Sequence, residues 1–263
     1  MNVQKLMYLV FSILFISLVS CSSDKEEVSV IDFPTNSSGE RLIRRINFNS
    51  VYEYLFTYDD LGRISRLVCN GLEISDSWTD TCEIKYFESL IIETISYNGL
   101  KYKVIHTTSP DGFIKMTIDT INGFPVKSEF IYNSDSTLFK ELKNNSEYIS
   151  SFSWSAGNIE STDNSSYTYY QIENKNTNID LNYLTAYYVS TMDGWSRIDG
   201  LGYMYGKHNK NILLKRTEAY MNGNSWLSNE YTFDEYSYIS SITVNDHLEG
   251  SAYSEIIKIE YVK

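Results

Sequence analysis

Basic charge is scarce in this chain: its 263 residues hold 22 Lys and Arg against 34 Asp and Glu, a formal net charge of −12. A protein that neutralises phosphates needs a basic surplus, and this balance repels a polyanion at long range, so no nucleic-acid partner is expected. Proline, histidine and cysteine occur three times each. With so few histidines, no HExxH pair, no GxSxG and no P-loop spacing, nothing supports a metalloprotease, α/β-hydrolase or NTPase. No cofactor is expected. No metal is expected either, because Cys69 and Cys82 have no histidine nearby and zinc wants four ligands. The one long apolar run, Leu6 to Val19, is about 14 residues, short of the ~20 that a membrane-spanning helix requires. What the chain does have is 23 Tyr, 12 Phe and 4 Trp, and such residues favour pleated, half-buried surfaces.

Residues 1–20 read as an address. A short start ending in Lys5 precedes the apolar run, and Leu18-Val19-Ser20-Cys21 follows. This is a lipoprotein signal peptide with a lipobox: small Ser20 precedes the cut, and the Cys21 sulfur takes a diacylglyceryl group. Cys21 is then the first mature residue. More than one acyl chain makes anchoring stable where a single chain would be marginal, so the expected partner is a membrane, reached through the N-terminal lipid. Residues 21–40, with the acidic run Ser22-Ser23-Asp24-Lys25-Glu26-Glu27, form a flexible linker. That acidic cluster resembles the surface-export signal of Bacteroidetes lipoproteins, which implies an outer-membrane lipoprotein exposed on the cell surface.

From residue 41 to 263 a single antiparallel β domain is expected. Asn-Gly and Asp-Gly pairs, among them Asn70-Gly71, Asn98-Gly99 and Asp111-Gly112, supply the positive φ values of hairpin turns. Between turns the period is two. Tyr52, Tyr54, Phe56 and Tyr58 share one face against Glu53 and Thr57; Val126, Ser128, Phe130 and Tyr132 oppose Lys127 and Glu129; Tyr253, Ile257, Ile259 and Tyr261 oppose Ser254, Lys258 and Glu260. Phe56 to Ser65 aligns without a gap with Tyr231 to Ser240, Phe152 to Ile159 forms a third copy and Phe130 to Asn133 a fourth. One such hairpin is marginal, and stacked neighbours bury its apolar face. The fold class predicted is all-β: an antiparallel meander of repeated hairpins forming a curled sheet or partly open barrel. At most one short helix is expected, near 179–188, where Asp180 offers a cap and Leu181, Leu184 and Tyr188 share a side.

The segment Phe56-Thr57-Tyr58-Asp59-Asp60-Leu61-Gly62-Arg63-Ile64 resembles the YD hairpin unit of Rhs-type β shells. Phe152-x-Trp154 with Gly157-Asn158-Ile159, then Tyr167-Thr168-Tyr169, Asn178 to Asn182, and Gly202 to Gly206 before Lys207-His208-Asn209, is similar to an uncharacterised family of Bacteroidetes lipoproteins described as having a porin-like fold. The resemblance implies a curled antiparallel sheet or partly closed barrel and brings no activity or site with it. Charges on both strand faces and the terminal Lys263 favour a water-soluble sheet over a membrane-inserted barrel.

Cys69 and Cys82 flank a hairpin centred near Ser75 and Asp76, which would set them opposite each other. Two readings stand: a cross-strand disulfide, or two free buried thiols. His106 alternates with Val104 as a satisfied or surface side chain, while His208 and His247 are expected in polar turns. Trp78, Trp195 and Trp226 lie in or beside turns, where exposed rings among Asn and Asp suit a sugar's apolar face; packing into a thin core is the other use of each ring. The function expected is a lipid-anchored binding or structural protein with a glycan or envelope-protein partner and no catalytic activity. The rival is a secreted hydrolase acting on polysaccharide.

Overall fold

The computed structural model describes residues 41–49, 51–72, 78–97, 99–120, 125–144, 147–175, 179–182, 185, 204, 206–218, 225–248 and 251–262. Sixteen strands run through them: β1 Ile43–Phe48, β2 Tyr52–Tyr58, β3 Ile64–Gly71, β4 Thr79–Tyr86, β5 Leu90–Tyr97, β6 Leu100–Thr108, β7 Ile114–Asp119, β8 Val126–Tyr132, β9 Leu138–Lys143, β10 Glu147–Ser155, β11 Asn158–Thr162, β12 Ser165–Glu173, β13 Asn211–Glu218, β14 Trp226–Phe233, β15 Ile239–Leu248 and β16 Ser251–Tyr261. Each pairs antiparallel with its sequence neighbours, and β16 pairs with β1, so the meander closes into a barrel. Closure corrects the partly open arrangement expected from sequence. It removes both edges, each of which would expose a row of unpaired backbone groups.

The seam is tied beyond its ladder. Val262 N donates to Leu42 O at 2.8 Å, and the Arg41 guanidinium meets Asp234 at 2.6 Å while lying 5.1 Å from the Tyr261 ring centre.

The alternation of side chains holds, with most aromatic and aliphatic residues inward and most charges outward; Glu93 and Glu255 are buried exceptions. Ile46, Phe48, Ile64, Leu67, Ile91, Val104, Ile114, Ile242 and Ile257 are fully buried. One core joins inward side chains of β1–β6 and β13–β16 with Ile179 and Leu181, and a second joins Ile114, Phe130, Leu138 and Phe152. Outside, Arg45 bonds Glu53 at 2.6 Å and Glu260 at 2.9 Å, and Arg66 pairs with Glu83 at 3.0 Å. An outer-membrane barrel has the opposite dress, apolar outside and polar within.

The Phe152 copy of the sequence repeat closes in a two-residue Ala156-Gly157 turn, whereas the Phe56, Phe130 and Tyr231 copies, together with the turn after β6, become four equivalent turns at one end of the barrel. In each, the first residue's N–H donates to the carbonyl four residues on: Asp59 to Arg63, Ser109 to Phe113, Asn133 to Thr137 and Asp234 to Tyr238. The fourth residue has positive φ, at Gly62, Gly112, Ser136 and Ser237. Asp59 and Asp234 each accept two backbone N–H bonds on Oδ1, which fixes the turn without a proline. Asn70-Gly71 is not a turn but the end of β3. There a Cβ on Gly71 would stand 2.4 Å from the Trp78 indole nitrogen, so the ring occupies the place a side chain would take.

Among the described residues no helix forms a separate element. Leu181, Asn182 and Thr185 have helical backbone, and the Thr185 hydroxyl donates to Leu181 O at 3.1 Å; the rest of 183–188 lies outside the described residues. The strands all fall within one unit, Asp32–Lys263. Cys21 and the linker lie outside the described residues, as does Trp195.

Candidate functional site

Two polar networks lie among the inward side chains, and the tryptophans among the described residues lie elsewhere. The first crosses four strands on a diagonal. Inward positions of β4, β5, β6 and β7 carry Cys82, Glu93, His106 and Thr117, all buried. The Cys82 thiol donates to Glu93 Oε2 at 3.1 Å, Glu93 Oε1 meets His106 Nε2, and His106 Nδ1 bonds Thr117 Oγ1 at 2.8 Å. Glu93 sits between Ile91 and Ile95 on the core face, so its carboxylate has partners where water is absent. His106 is thus satisfied internally, one of the two roles its alternation allowed. The thiol faces a carboxylate and not the imidazole, so the chain is not a cysteine–histidine nucleophile pair.

Cys69 and Cys82 point to the same face but are not directly opposite. Leu67 pairs with Cys82, and Cys69 pairs with Asp80. The two-residue offset corrects the register expected from sequence, and both thiols are buried and not joined in a disulfide. Burial pushes the Cys69 thiol up to about 12, with Asp80 adding to the shift. A thiol so held is not a nucleophile at neutral pH.

The second construction is amide-rich and centres on the connection between β12 and β13. Asn182 accepts from Leu213 N at 2.7 Å and donates to Asn211 O at 2.8 Å. Asn229, inward on β14, donates to Thr185 Oγ1 at 3.1 Å. Asn209 accepts from Ile159 N at 2.7 Å and from the Tyr169 hydroxyl at 3.0 Å. Asn182 thus serves β13 backbone at Asn211 and Leu213, where its register with β12 shifts between Tyr169 and Glu173. Ile179 and Leu181 of this connection belong to the larger core. Gly206 in it abuts the Ser136 carbonyl and the Tyr132 ring, so a close approach explains one glycine of the Gly202–Gly206 run.

Trp78, Trp154 and Trp226 do not converge. Trp78, at the β3–β4 turn, is 37% exposed and covers Gly71. Trp226 begins β14, and β15, β16, β1 and β2 stand between it and β3. It stacks on His247 with centres 4.3 Å apart, and Lys215 Nζ lies 4.8 Å from its ring centre. His247 and Lys215 belong to the strands on either side, so the indole is flanked by its neighbours. His247 is in β15 and not in a turn as expected from sequence. Trp154, which sequence left unassigned, donates to Leu138 O at 2.7 Å within the smaller core. Among the described residues no three His, Cys, Asp or Glu side chains converge on a metal position.

These features define a class: a closed antiparallel meander barrel whose inward face carries two apolar clusters. The chain is similar in fold to a porin-like protein from Bacteroides uniformis, with a TM-score of 0.65 at 14% identity over 84% of this chain and 98% of the other. A porin-like protein from Bacteroides vulgatus aligns over 84% of this chain and 99% of its own at 11% identity, with a TM-score of 0.35, too low to bear on the fold. No family model and no curated protein matches.

Proposed function

We propose that this protein is a non-conducting barrel, held at the outer membrane by lipid on Cys21 and acting there as a binding or structural component. The observation that carries this reading is the placement of charge. Arg45, Glu53 and Glu260 form an ion-pair cluster on the outer face across β1, β2 and β16, while Ile46 and Phe48 beside them are sealed inside. A lipid-facing wall disfavours such charges, and a water-filled pore disfavours such a core. A barrel of this kind needs a separate anchor to stay at a membrane, which the lipobox supplies. The partner favoured is a glycan, met at the exposed Trp78 rim. The Trp226 ring, flanked by His247 and Lys215, offers less free face.

The test has two parts. Purified protein added to a planar bilayer is expected to give no conductance steps, and cells fed a palmitate analogue are expected to label the wild-type chain but not Cys21→Ala. Regular single-channel steps, or labelling that survives Cys21→Ala, would overturn the reading. Glycan arrays read by Trp78 fluorescence, with a reducing-sugar assay alongside, separate binding from hydrolysis.

A further inference from the structure

The outer surface of the barrel is not uniform. On β5, β6 and β7, Ile92 pairs with Ile105 and Ile105 with Ile118, three aliphatic side chains in one cross-strand row on the outward face. The next row holds Leu90, Thr107, Met116, Glu129 and Leu142 in register. Beside it Ile131 is 41% exposed and Phe139 46%. The inward partners of these residues, Ile91, Val104, His106, Thr117 and Phe130, are buried, so the pleat leaves the outer rows facing solvent.

Lysines surround these rows. Lys85 opposes Ile92, Lys103 opposes Thr94, Lys101 opposes Ser96, Lys127 opposes Ile118 and Lys140 opposes Ile131, all on the outward face, with Lys115 exposed beside them. The outward carboxylates of β4 to β9 are Glu83 and Glu129, against these six lysines, and they pair with Arg66 and Lys127. The other carboxylates of this stretch are inward, as Asp80, Glu93, Asp119 and Glu141 are, or at the turns, as Glu88, Asp111 and Asp135 are. A chain of net charge −12 thus gathers a cationic, aliphatic face on one side of its barrel.

We propose that the outer face of β5 to β9 docks on the surface of an anionic phospholipid bilayer. Ammonium groups ringing half-exposed aliphatic side chains match the phosphates and the acyl boundary of such a surface. Lysine suits diffuse attraction to a charged plane, and arginine, which would favour fixed bidentate phosphate contacts, is absent from these rows. A second copy of the chain is a poorer occupant. The outward positions of β14 and β15, Trp226, Ser228, Glu230, Thr243, Asn245 and His247, are mostly polar and offer no aliphatic row in return. The face would lay the barrel on its side against the membrane, a second attachment added to the lipid of the proposed function, and it does not require that lipid.

Sedimentation of the full chain with vesicles tests this. Phosphatidylcholine vesicles are compared with vesicles containing phosphatidylglycerol, because the N-terminal apolar segment contributes to both and cancels in the ratio. The expected preference for anionic vesicles is about tenfold or more at low salt, vanishing in 0.5 M salt and in Lys85→Glu/Lys103→Glu/Lys127→Glu, whose circular dichroism should match the wild type. Ile105→Ser/Ile118→Ser should weaken binding to anionic vesicles while leaving its salt dependence. A ratio near one, or a preference untouched by the lysine variant, overturns the proposal. So does a change in oligomeric state on the lysine substitutions without a change in vesicle binding, which would assign the face to a second copy. Neither conductance nor palmitate labelling enters these readouts, so this proposal and the proposed function fail separately.

Discussion

The Tyr58 hydroxyl donates to the Ile43 carbonyl at 2.6 Å, from the end of β2 to the start of β1. The same bond recurs around the barrel: Tyr86 to Ile64, Tyr132 to Ile114, Tyr231 to Leu213 and Tyr261 to Ile239, with Trp154 to Leu138 as its indole version. Each joins an even-numbered strand to the odd-numbered strand before it, at the end where the Asp59 and Asp234 turns lie. The ring fills the interior while the polar tip satisfies a carbonyl at the strand's first residue, or in β13 at its third. This is the use to which several of the abundant tyrosines are put, and burial pushes the Tyr132 and Tyr231 phenols above their usual range.

Removing one such hydroxyl removes one bond and leaves its carbonyl unserved. Tyr58→Phe is expected to lose about 1 kcal/mol, lowering the thermal midpoint by roughly 2–4 °C in a domain of this size. Tyr236→Phe is the control, since Tyr236 is 61% exposed. Thermal circular dichroism of the two variants reads the difference, and equal midpoints would remove the hydroxyl from the account.

Glu93 and His106 are expected to behave as a unit. Glu93→Leu strands the imidazole in the core and should cost about 3–5 kcal/mol, while Glu93→Leu/His106→Leu, which removes both polar groups, should recover a large part of that loss. Urea midpoints of wild type, both single variants and the double variant complete the cycle. Additive losses would show that the two side chains are not coupled.

Alkaline stability should depend on Cys69. Its thiol is raised from an ordinary 9.0 to about 12 by burial. The raised value means that the folded state holds the proton more tightly. The resulting stability is therefore fully present below pH 9 and is lost as the pH climbs toward 12. In Cys69→Ala the fall in urea midpoint over that window should be shallower than in wild type. Native protein should also leave both thiols unreactive to a thiol reagent at pH 8, with two Sγ atoms per body released on denaturation; prompt reaction of folded protein counts against this burial.

Gly71→Ala puts a methyl group where the Trp78 indole now lies. Because that ring is partly exposed, it can swing outward, so the expected stability loss is below about 1 kcal/mol, less than the 1–3 kcal/mol typical of overpacking a sealed core. Emission should shift to the red and become easier to quench with acrylamide. An unchanged spectrum would mean that the ring does not cover Gly71 in solution.

The strand faces were readable because a period of two is a local property, and so were the Asp59 and Asp234 turns, whose polar residues act on backbone within four positions. Closure was not readable: Arg45 and Glu260 meet across 215 positions, and no local pattern encodes that. The tyrosine bonds span 15 to 22 positions. Their signal, an aliphatic residue opening one strand and a tyrosine ending the next, was present but becomes visible only once hairpin lengths are known. Glu93 was legible as an oddity, a charge between Ile91 and Ile95 on an inward face, and the histidine answering it lay on the next strand. The Cys69–Cys82 register is not legible from spacing: a turn centred midway would oppose the two cysteines, whereas the ladder opposes Cys69 to Asp80.

The pairing of the first strand with the last sets a timetable for biogenesis. The N-terminal strand is synthesised more than two hundred residues before its partner, so it must wait with one side open until the final eleven-residue strand has emerged. Until then a hairpin series with two raw borders is exposed to neighbours bearing the same borders. In the lipid-anchored protein proposed above, crossing the inner membrane unfolded would defer zipping to its far side and shorten the time any half-built ribbon spends among its copies.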